Sequence, residues 1–318
     1  MDDVLLCSAA FIERAGDRLD AVAPGLKRVV LSAGGEVDHN DIGRITIAHF
    51  SSDLWPQHHI PFFVAALKAE QLRWFHTMSA GVDSPPFRAM MERGVRLSNS
   101  SGTSAVPIAH TAMMYLLALS QGLPDALEGQ AAKEWRWKRW RELFGRSIAV
   151  VGWGPIGQEA ARLAEALGMS VTVVRRAARG DEGYPVRPLV DLVDIARDHD
   201  VMMLALPLTD DTAGVVDAAV LRAVGPDGLF INVGRGELVD QAALVAALHS
   251  GELGGAGLDV TTPEPPTPDD PVWDAPNLIL TPHNSGATDG TARRSDDSFF
   301  DNLASWLDGE RLVSEVSS

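Results

Sequence analysis

The stretch Ser147–Met169, SIAVVGWGPIGQEAARLAEALGM, decides the fold. Ile148 to Val151 is a short apolar, β-branched run and reads as a buried strand. Gly152, Gly154 and Gly157 follow in a G-x-G-x-x-G spacing, with Pro155 and Ile156 ahead of the third glycine. Ala160, Ala161, Leu163, Ala164 and Leu167 then recur at helical spacing, and Gly168 ends the run. Strand, glycine turn and helix in that order make a cradle for a dinucleotide. The first glycine allows the tight turn, the second a close approach to the pyrophosphate, and the third close helix–strand packing. N–H groups at the helix start face the phosphates, where the helix dipole favours negative charge. The spacing alone is weak; its place between a strand and a helix makes it specific.

Outward from this stretch, apolar strand candidates recur at Val171–Val174, Val201–Leu206, Leu229–Val233, Gly255–Val260 and Leu278–Thr281. Helix-patterned segments such as Ala218–Val224 and Gln241–Leu248 separate them. Six strands with alternating helices match a doubly wound dinucleotide-binding domain. An acidic, proline-rich loop, Thr261 to Pro271, interrupts the last two strands. On the N-terminal side, strand candidates Val4–Cys7, Arg28–Leu31, Ile45–His49, Leu72–His76 and Val95–Leu97 alternate with helical patterns such as Phe62–Leu67 and Phe87–Glu92. This is a second parallel α/β layer. Asn99–Ser104 is a polar break between the two, and Ala105–Leu119 reads as an apolar helix buried between the halves. Asp296–Leu307 has Phe299, Phe300, Leu303 and Trp306 on one face and is expected to return to the first domain.

At 318 residues the chain has room for two domains, and 46% hydrophobic with 22% charged residues is a globular composition. A net charge of −16 argues against nucleic acid and against an anionic membrane surface as partners. The single cysteine, Cys7, excludes an internal disulfide and a cysteine-rich zinc site, and reads as a buried small hydrophobe. The first ten residues, MDDVLLCSAA, carry acids where a signal peptide needs bases, and no apolar run approaches the ~20 residues of a membrane span. A soluble, cytoplasmic protein is expected. Trp135, Trp137 and Trp140 lie among Lys133, Arg136, Lys138, Arg139 and Arg141. In so acidic a chain this segment reads better as an aromatic cover between domains, or a subunit contact, than as a nucleic-acid patch. His58 and His59 are adjacent and lack metal-ligand spacing, so no metal is expected.

In open α/β sheets ligands bind beyond the carboxyl ends of the strands. Three reactive side chains follow such ends: Arg235 in Asn232-Val-Gly-Arg-Gly236, Glu264 in the loop after Val260, and His283 in Leu280-Thr-Pro-His283. The set suits carbonyl reduction. A nicotinamide delivers hydride to a ketone carbon, and histidine, which titrates near neutral pH, supplies the proton. A neighbouring carboxylate favours the charged imidazole, and arginine binds a carboxylate or polarises a carbonyl. The bland alternatives are a surface arginine, a solvated loop glutamate and a satisfied strand-end histidine.

These residues sit in stretches that resemble the D-isomer-specific 2-hydroxyacid dehydrogenase family, in particular its glyoxylate/hydroxypyruvate reductases. The stretches are Ser79-Ala-Gly-Val-Asp83, Val151-Gly-Trp-Gly-Pro-Ile-Gly157, Leu206-Pro-Leu-Thr209, Ile231-Asn-Val-Gly-Arg-Gly236, Gly257-Leu-Asp-Val260 with Pro263-Glu-Pro265, and Leu280-Thr-Pro-His283. The resemblance implies Arg235 as substrate-binding arginine, His283 as acid/base and Glu264 as its partner, with the N–H groups of Ala80, Gly81 and Val82 on the substrate carboxylate. It implies cofactor contacts at Gly152, Gly154, Pro155, Ile156, Gly157, Leu206, Pro207, Thr209, Val233, Gly234, Asp259 and His283, and a homodimer. The expected architecture is α/β, two doubly wound parallel-sheet domains. A Rossmann domain of residues 102–287 is inserted in a flavodoxin-like substrate domain of residues 1–101 and 288–318. His110 stands where the family usually has an acid, and Asn284 and Ser285 where a small or apolar pair is common.

An acid after the second Rossmann strand would bind the ribose 2′-hydroxyl of NAD and repel a 2′-phosphate. Arg175 and Arg176 occupy that place, with Arg179 nearby, so NADP(H) is the expected cofactor, with NAD(H) possible if the arginines stack on adenine or face solvent. The expected activity is reduction of a small 2-keto acid, such as glyoxylate or hydroxypyruvate, to the D-2-hydroxy acid. The rival is a non-catalytic dinucleotide sensor of the same fold, which needs no proton donor.

Overall fold

The computed structural model describes residues 3–316. Two units are distinguished: the chain up to Ser104 together with the segment from Ala287 onward, and Ala105–Gly286.

The first unit holds five parallel strands, β1 (Val4–Ser8), β2 (Lys27–Leu31), β3 (Ile47–Phe50), β4 (Trp74–Thr77) and β5 (Arg96–Asn99), in the order β2-β1-β3-β4-β5. This is the flavodoxin-like doubly wound order. Both faces are covered, so neighbouring residues of one strand are both buried. Leu6 and Phe75 join Phe50, Phe62 and Leu97 on one side, whereas Leu5 and Trp74 join Cys7, Phe11, Phe299 and Leu303 on the other. Cys7 is fully buried, and burial pushes its thiol up to about 12. The helix Asp289–Leu307 belongs to this unit, as its aromatic face implies, and Trp306 stacks on Trp74 at 5.5 Å. It starts well before Asp296, at a cap where the Thr288 side chain accepts from Thr291 N at 3.0 Å. Its first half is polar and shows no apolar period.

The second unit holds seven parallel strands, one more than expected. They are β6 (Ser147–Val151), β7 (Ser170–Arg175), β8 (Val186–Pro188), β9 (Val201–Leu204), β10 (Leu229–Asn232), β11 (Gly255–Leu258) and β12 (Leu278–Leu280), ordered β12-β11-β10-β9-β6-β7-β8. The extra strand, β8, has three residues and ends on Pro188 at the sheet edge, where a missing N–H is tolerated. So short a run carries no periodicity to read. Ile148 and Val150 face one core cluster, Ala149 and Val151 the other. The helix Ala105–Ser120 was expected between the halves. It packs on the helix Pro155–Ala166 and on β10 and β11 of its own unit, and Val106, Met114 and Leu117 on its other side are exposed. The strand order reverses at β6 and β9, and the glycine turn follows β6 at this switch point.

Candidate active site

Packing in the second unit gives each glycine of the turn a separate task. Gly152 has φ +110°, and a Cβ there would lie 2.5 Å from the Ala205 carbonyl oxygen. A Cβ on Gly157 would lie 2.1 Å from the Gly152 carbonyl oxygen, so the third glycine is what lets the helix Pro155–Ala166 sit against the turn. Gly154, the N-cap of that helix, has open space where a side chain would be. Pro155 fills the first helical position, where no N–H is missed. The N–H groups of the first turn, Ile156 and Gly157 among them, have no intrahelical acceptor. An open backbone cradle at a helix N-terminus fits the pyrophosphate of a dinucleotide.

The neighbouring turns close around the same end of the sheet. Leu206–Thr209 follow β9 and are tied by Thr212, whose Oγ1 accepts from Thr209 N (2.8 Å) and donates to the Pro207 carbonyl (2.8 Å). Val233 and Gly234 follow β10. A Cβ on Gly234 would meet the Leu206 carbonyl at 2.9 Å, and one on Gly236 the Thr261 carbonyl at 2.0 Å. The turn that presents Arg235 is braced by buried Asn232, whose Nδ2 donates to the Arg235 carbonyl (2.8 Å) and whose Oδ1 accepts from Gly234 N (2.9 Å). Arg235 Nη1 itself donates to the Gly234 carbonyl at 2.9 Å.

His283 and Glu264 meet at this rim. The imidazole Nδ1–H donates to Glu264 Oε1 at 2.6 Å, and the side chains are 44% and 41% exposed. That bond raises the His283 pKa above its ordinary 6.5, against burial, which lowers it; the Arg235 charge also lowers it. Burial would raise Glu264, but the bond and charge of His283, a backbone hydrogen bond from Thr261 and the charge of Arg235 bring it below its ordinary value. Arg235 therefore acts electrically on both members of the pair. With Nδ1 committed to the carboxylate, Nε2 carries the transferable proton.

The turn that carries His283 has left-handed backbone there, φ +48°, a conformation costly for a residue with a side chain. Asp259, 2% exposed at the end of β11, holds it. Its backbone carbonyl accepts from His283 N (2.8 Å). Its carboxylate accepts from Thr281 Oγ1 (2.6 Å), Asn284 N (3.1 Å), Ser285 N (3.2 Å) and Ser285 Oγ. Tyr115 completes the chain by donating to Thr281 Oγ1; burial raises its phenol to about 12, so it stays a donor. The unusual Ser285 is thus a brace of the histidine turn. His110 is exposed, and its charge acts on Glu159.

Ala80, Gly81 and Val82 follow β4 in the first unit; Asn99 Nδ2 donates to the Ala80 carbonyl (2.7 Å), and among the described residues of that unit the three N–H groups have no acceptor. Arg175, expected at the cofactor phosphate, donates from Nη1 to sheltered Glu182 at 2.7 Å. Arg176 is exposed and lies 3.3 Å from Asp211. Neither Glu182 nor the bracing roles of Asn232, Thr281, Ser285 and Tyr115 were read from the sequence. Asn232 and Thr281 stood inside quoted stretches, but which polar side chains turn back on their own loop is set by backbone dihedrals. Among the described residues no group of histidine, cysteine and acidic side chains is placed to hold a metal.

A switch-point glycine cradle with a histidine–carboxylate pair on the same rim defines a dinucleotide-dependent oxidoreductase. Residues 113–285 match the NAD binding domain of the D-isomer specific 2-hydroxyacid dehydrogenases. The glyoxylate/hydroxypyruvate reductase A of Arabidopsis thaliana is 32% identical over 243 residues, 76% of this chain and 77% of that protein. The glyoxylate reductase/hydroxypyruvate reductase of Mus musculus is 32% identical over 254 residues, 77% of each chain. A solved NADPH-dependent glyoxylate/hydroxypyruvate reductase from Sinorhizobium meliloti, in complex with NADP and malonate, is similar with a TM-score of 0.79 and 29% identity, covering 100% of this chain and 97% of that one. The chain belongs to the D-isomer specific 2-hydroxyacid dehydrogenase family.

Proposed function

We propose that this protein reduces a small 2-keto acid of the glyoxylate or hydroxypyruvate kind to the D-2-hydroxy acid, with NADPH preferred over NADH. The observation that carries the reading is the 2.6 Å bond between His283 Nδ1 and Glu264. A dinucleotide whose pyrophosphate is held at the glycine cradle would supply the hydride from its nicotinamide. Arg235 binds the substrate carboxylate and polarises its keto oxygen. His283, kept protonated by Glu264, gives its Nε2 proton to the oxygen as the carbon is reduced, and becomes neutral. Glu264 stays ionised throughout and favours the imidazolium that must re-form from solvent. The relatives named for glyoxylate and hydroxypyruvate support the substrate class. The exposed arginine at 176, and the relative solved with NADP, support the cofactor preference.

We further propose a cytoplasmic homodimer. Trp135, Trp137 and Trp140 are 95%, 76% and 56% exposed in the single chain, in an irregular basic segment of an acidic protein that a second copy would cover. No single helix among the described residues is long and apolar enough to cross a membrane. Sedimentation of the protein decides the dimer. A panel of 2-keto acids with NADPH and NADH tests the activity: oxidation of the nucleotide by glyoxylate or hydroxypyruvate is expected. Nucleotide binding without turnover of any keto acid would leave a sensor instead.

A further inference from the structure

We propose that Glu182 sets the cofactor selectivity, by folding the turn after β7 so that Arg176 and Arg179, and not Arg175, meet the 2′-phosphate of NADPH. The inference rests on the NADPH preference argued above.

The turn from 176 to 180 is exposed residue by residue, yet the Glu182 side chain beneath it is only 2% exposed. Both oxygens of its carboxylate accept hydrogen bonds from the turn. Oε1 accepts from Arg175 Nη1 (2.7 Å) and Arg179 N (2.8 Å), and Oε2 accepts from Gly180 N (2.9 Å). These bonds, the one from Arg179 N foremost, hold the carboxyl below its ordinary pKa although desolvation opposes them. Gly180 (φ +83°) and Gly183 (φ +74°) supply the left-handed steps that wrap the chain round the carboxylate.

Two consequences follow from this geometry. An acid near the end of this strand would ordinarily receive a ribose hydroxyl and select NAD. Glu182 is covered and both its oxygens accept from the turn, so it does not act as that acid. Arg175 is only 17% exposed and turns its Nη1 inward onto that carboxylate. What remains at the surface is Arg176 and Arg179, the latter fixed through its backbone N–H. The partner of Arg176 is Asp211, at 3.3 Å with both side chains about three-quarters exposed (71% and 75%). So loose an ion pair is weak, and a phosphate dianion offers a guanidinium stronger, bidentate bonds. Glu182 is a positioning residue, acting on the cofactor through the turn it closes.

Dissociation constants of NADPH and NADH for the full chain, from nucleotide fluorescence, test this without turnover. For Glu182→Ala the NADPH constant is expected to rise about tenfold, the worth of one charge-assisted hydrogen bond, with NADH within about twofold of wild type. Adenosine 2′,5′-bisphosphate against 5′-AMP should show the same split. Glu182→Gln, which keeps one side-chain oxygen for the turn, should fall between, and replaces the alanine variant should that one not fold. A wild type that favours NADPH beside variants with an unchanged NADPH/NADH ratio overturns the role of Glu182 and leaves the preference standing. Equal weakening of both nucleotides also overturns it, by reducing Glu182 to general structure. A wild type that binds NADH as tightly as NADPH removes the preference and this inference with it.

Discussion

Two cation–carboxylate pairs sit at strand ends of the same sheet, and the proposed mechanism gives them opposite tasks. Arg175–Glu182 closes at 2.7 Å and His283–Glu264 at 2.6 Å. The first is 17% and 2% exposed, and the glutamate's remaining oxygen is taken by a backbone N–H. The second is 44% and 41% exposed, and its histidine keeps Nε2 uncommitted to the carboxylate. Distance does not separate a structural pair from a chemical one here. What separates them is exposure, and whether the cation titrates near neutral pH, as imidazole does and guanidinium does not.

The contrast can be broken by removing one member of each pair. The largest effect is expected for His283→Ala: kcat for keto-acid reduction should fall by about 10²- to 10⁴-fold, the worth of a positioned general acid, with NADPH binding retained. Since a half-exposed pair adds about 1 kcal/mol or less to stability, its Tm should stay within about 4 °C of wild type. Retained turnover would reduce His283 to a strand-end histidine. Next comes Arg235→Ala, where kcat/KM should fall by about 10- to 100-fold, chiefly through KM, as a charged hydrogen bond to the substrate is lost. A change in kcat alone would move Arg235 from binding to a purely electrostatic role. The smallest effect on catalysis belongs to the other pair. Arg175→Met strands Glu182 without its cation, so its Tm should drop further than that of His283→Ala in the same thermal scan. A Tm equal to wild type would make the sheltered pair incidental.

The sequence made the second unit readable because parallel, doubly covered strands are written as apolar runs. Ile148–Val151 and Leu229–Val233 could hardly be anything else. The glycines at 152 and 157 were legible for the same reason, since each is forced by backbone that touches it. Strand β8 was not legible, being three residues ending on proline. The start of the helix at Asp289 was not, because DGTARRS carries no apolar period. At the rim, Arg235, Glu264 and His283 stood out as charged residues beyond strand ends. Their braces did not. Ser285 and Asn232 earn their roles from dihedrals that place a side chain back on its own turn. The partner of Arg175 is not legible either, since it lies seven residues on, past a glycine turn that no periodicity reports.

The central claim is that Glu264 keeps His283 charged so that it can donate a proton. The pH dependence of kcat/KM for keto-acid reduction, in wild type and Glu264→Gln, tests it most directly. His283 has a raised pKa, so its acid form persists to higher pH. Wild-type kcat/KM should therefore hold at low pH and fall as pH rises through a midpoint above 6.5, and hydroxy-acid oxidation should rise through the same midpoint. In Glu264→Gln the midpoint should move down. A midpoint that is identical in the two proteins would contradict the account, leaving the 2.6 Å contact as geometry without consequence for the proton.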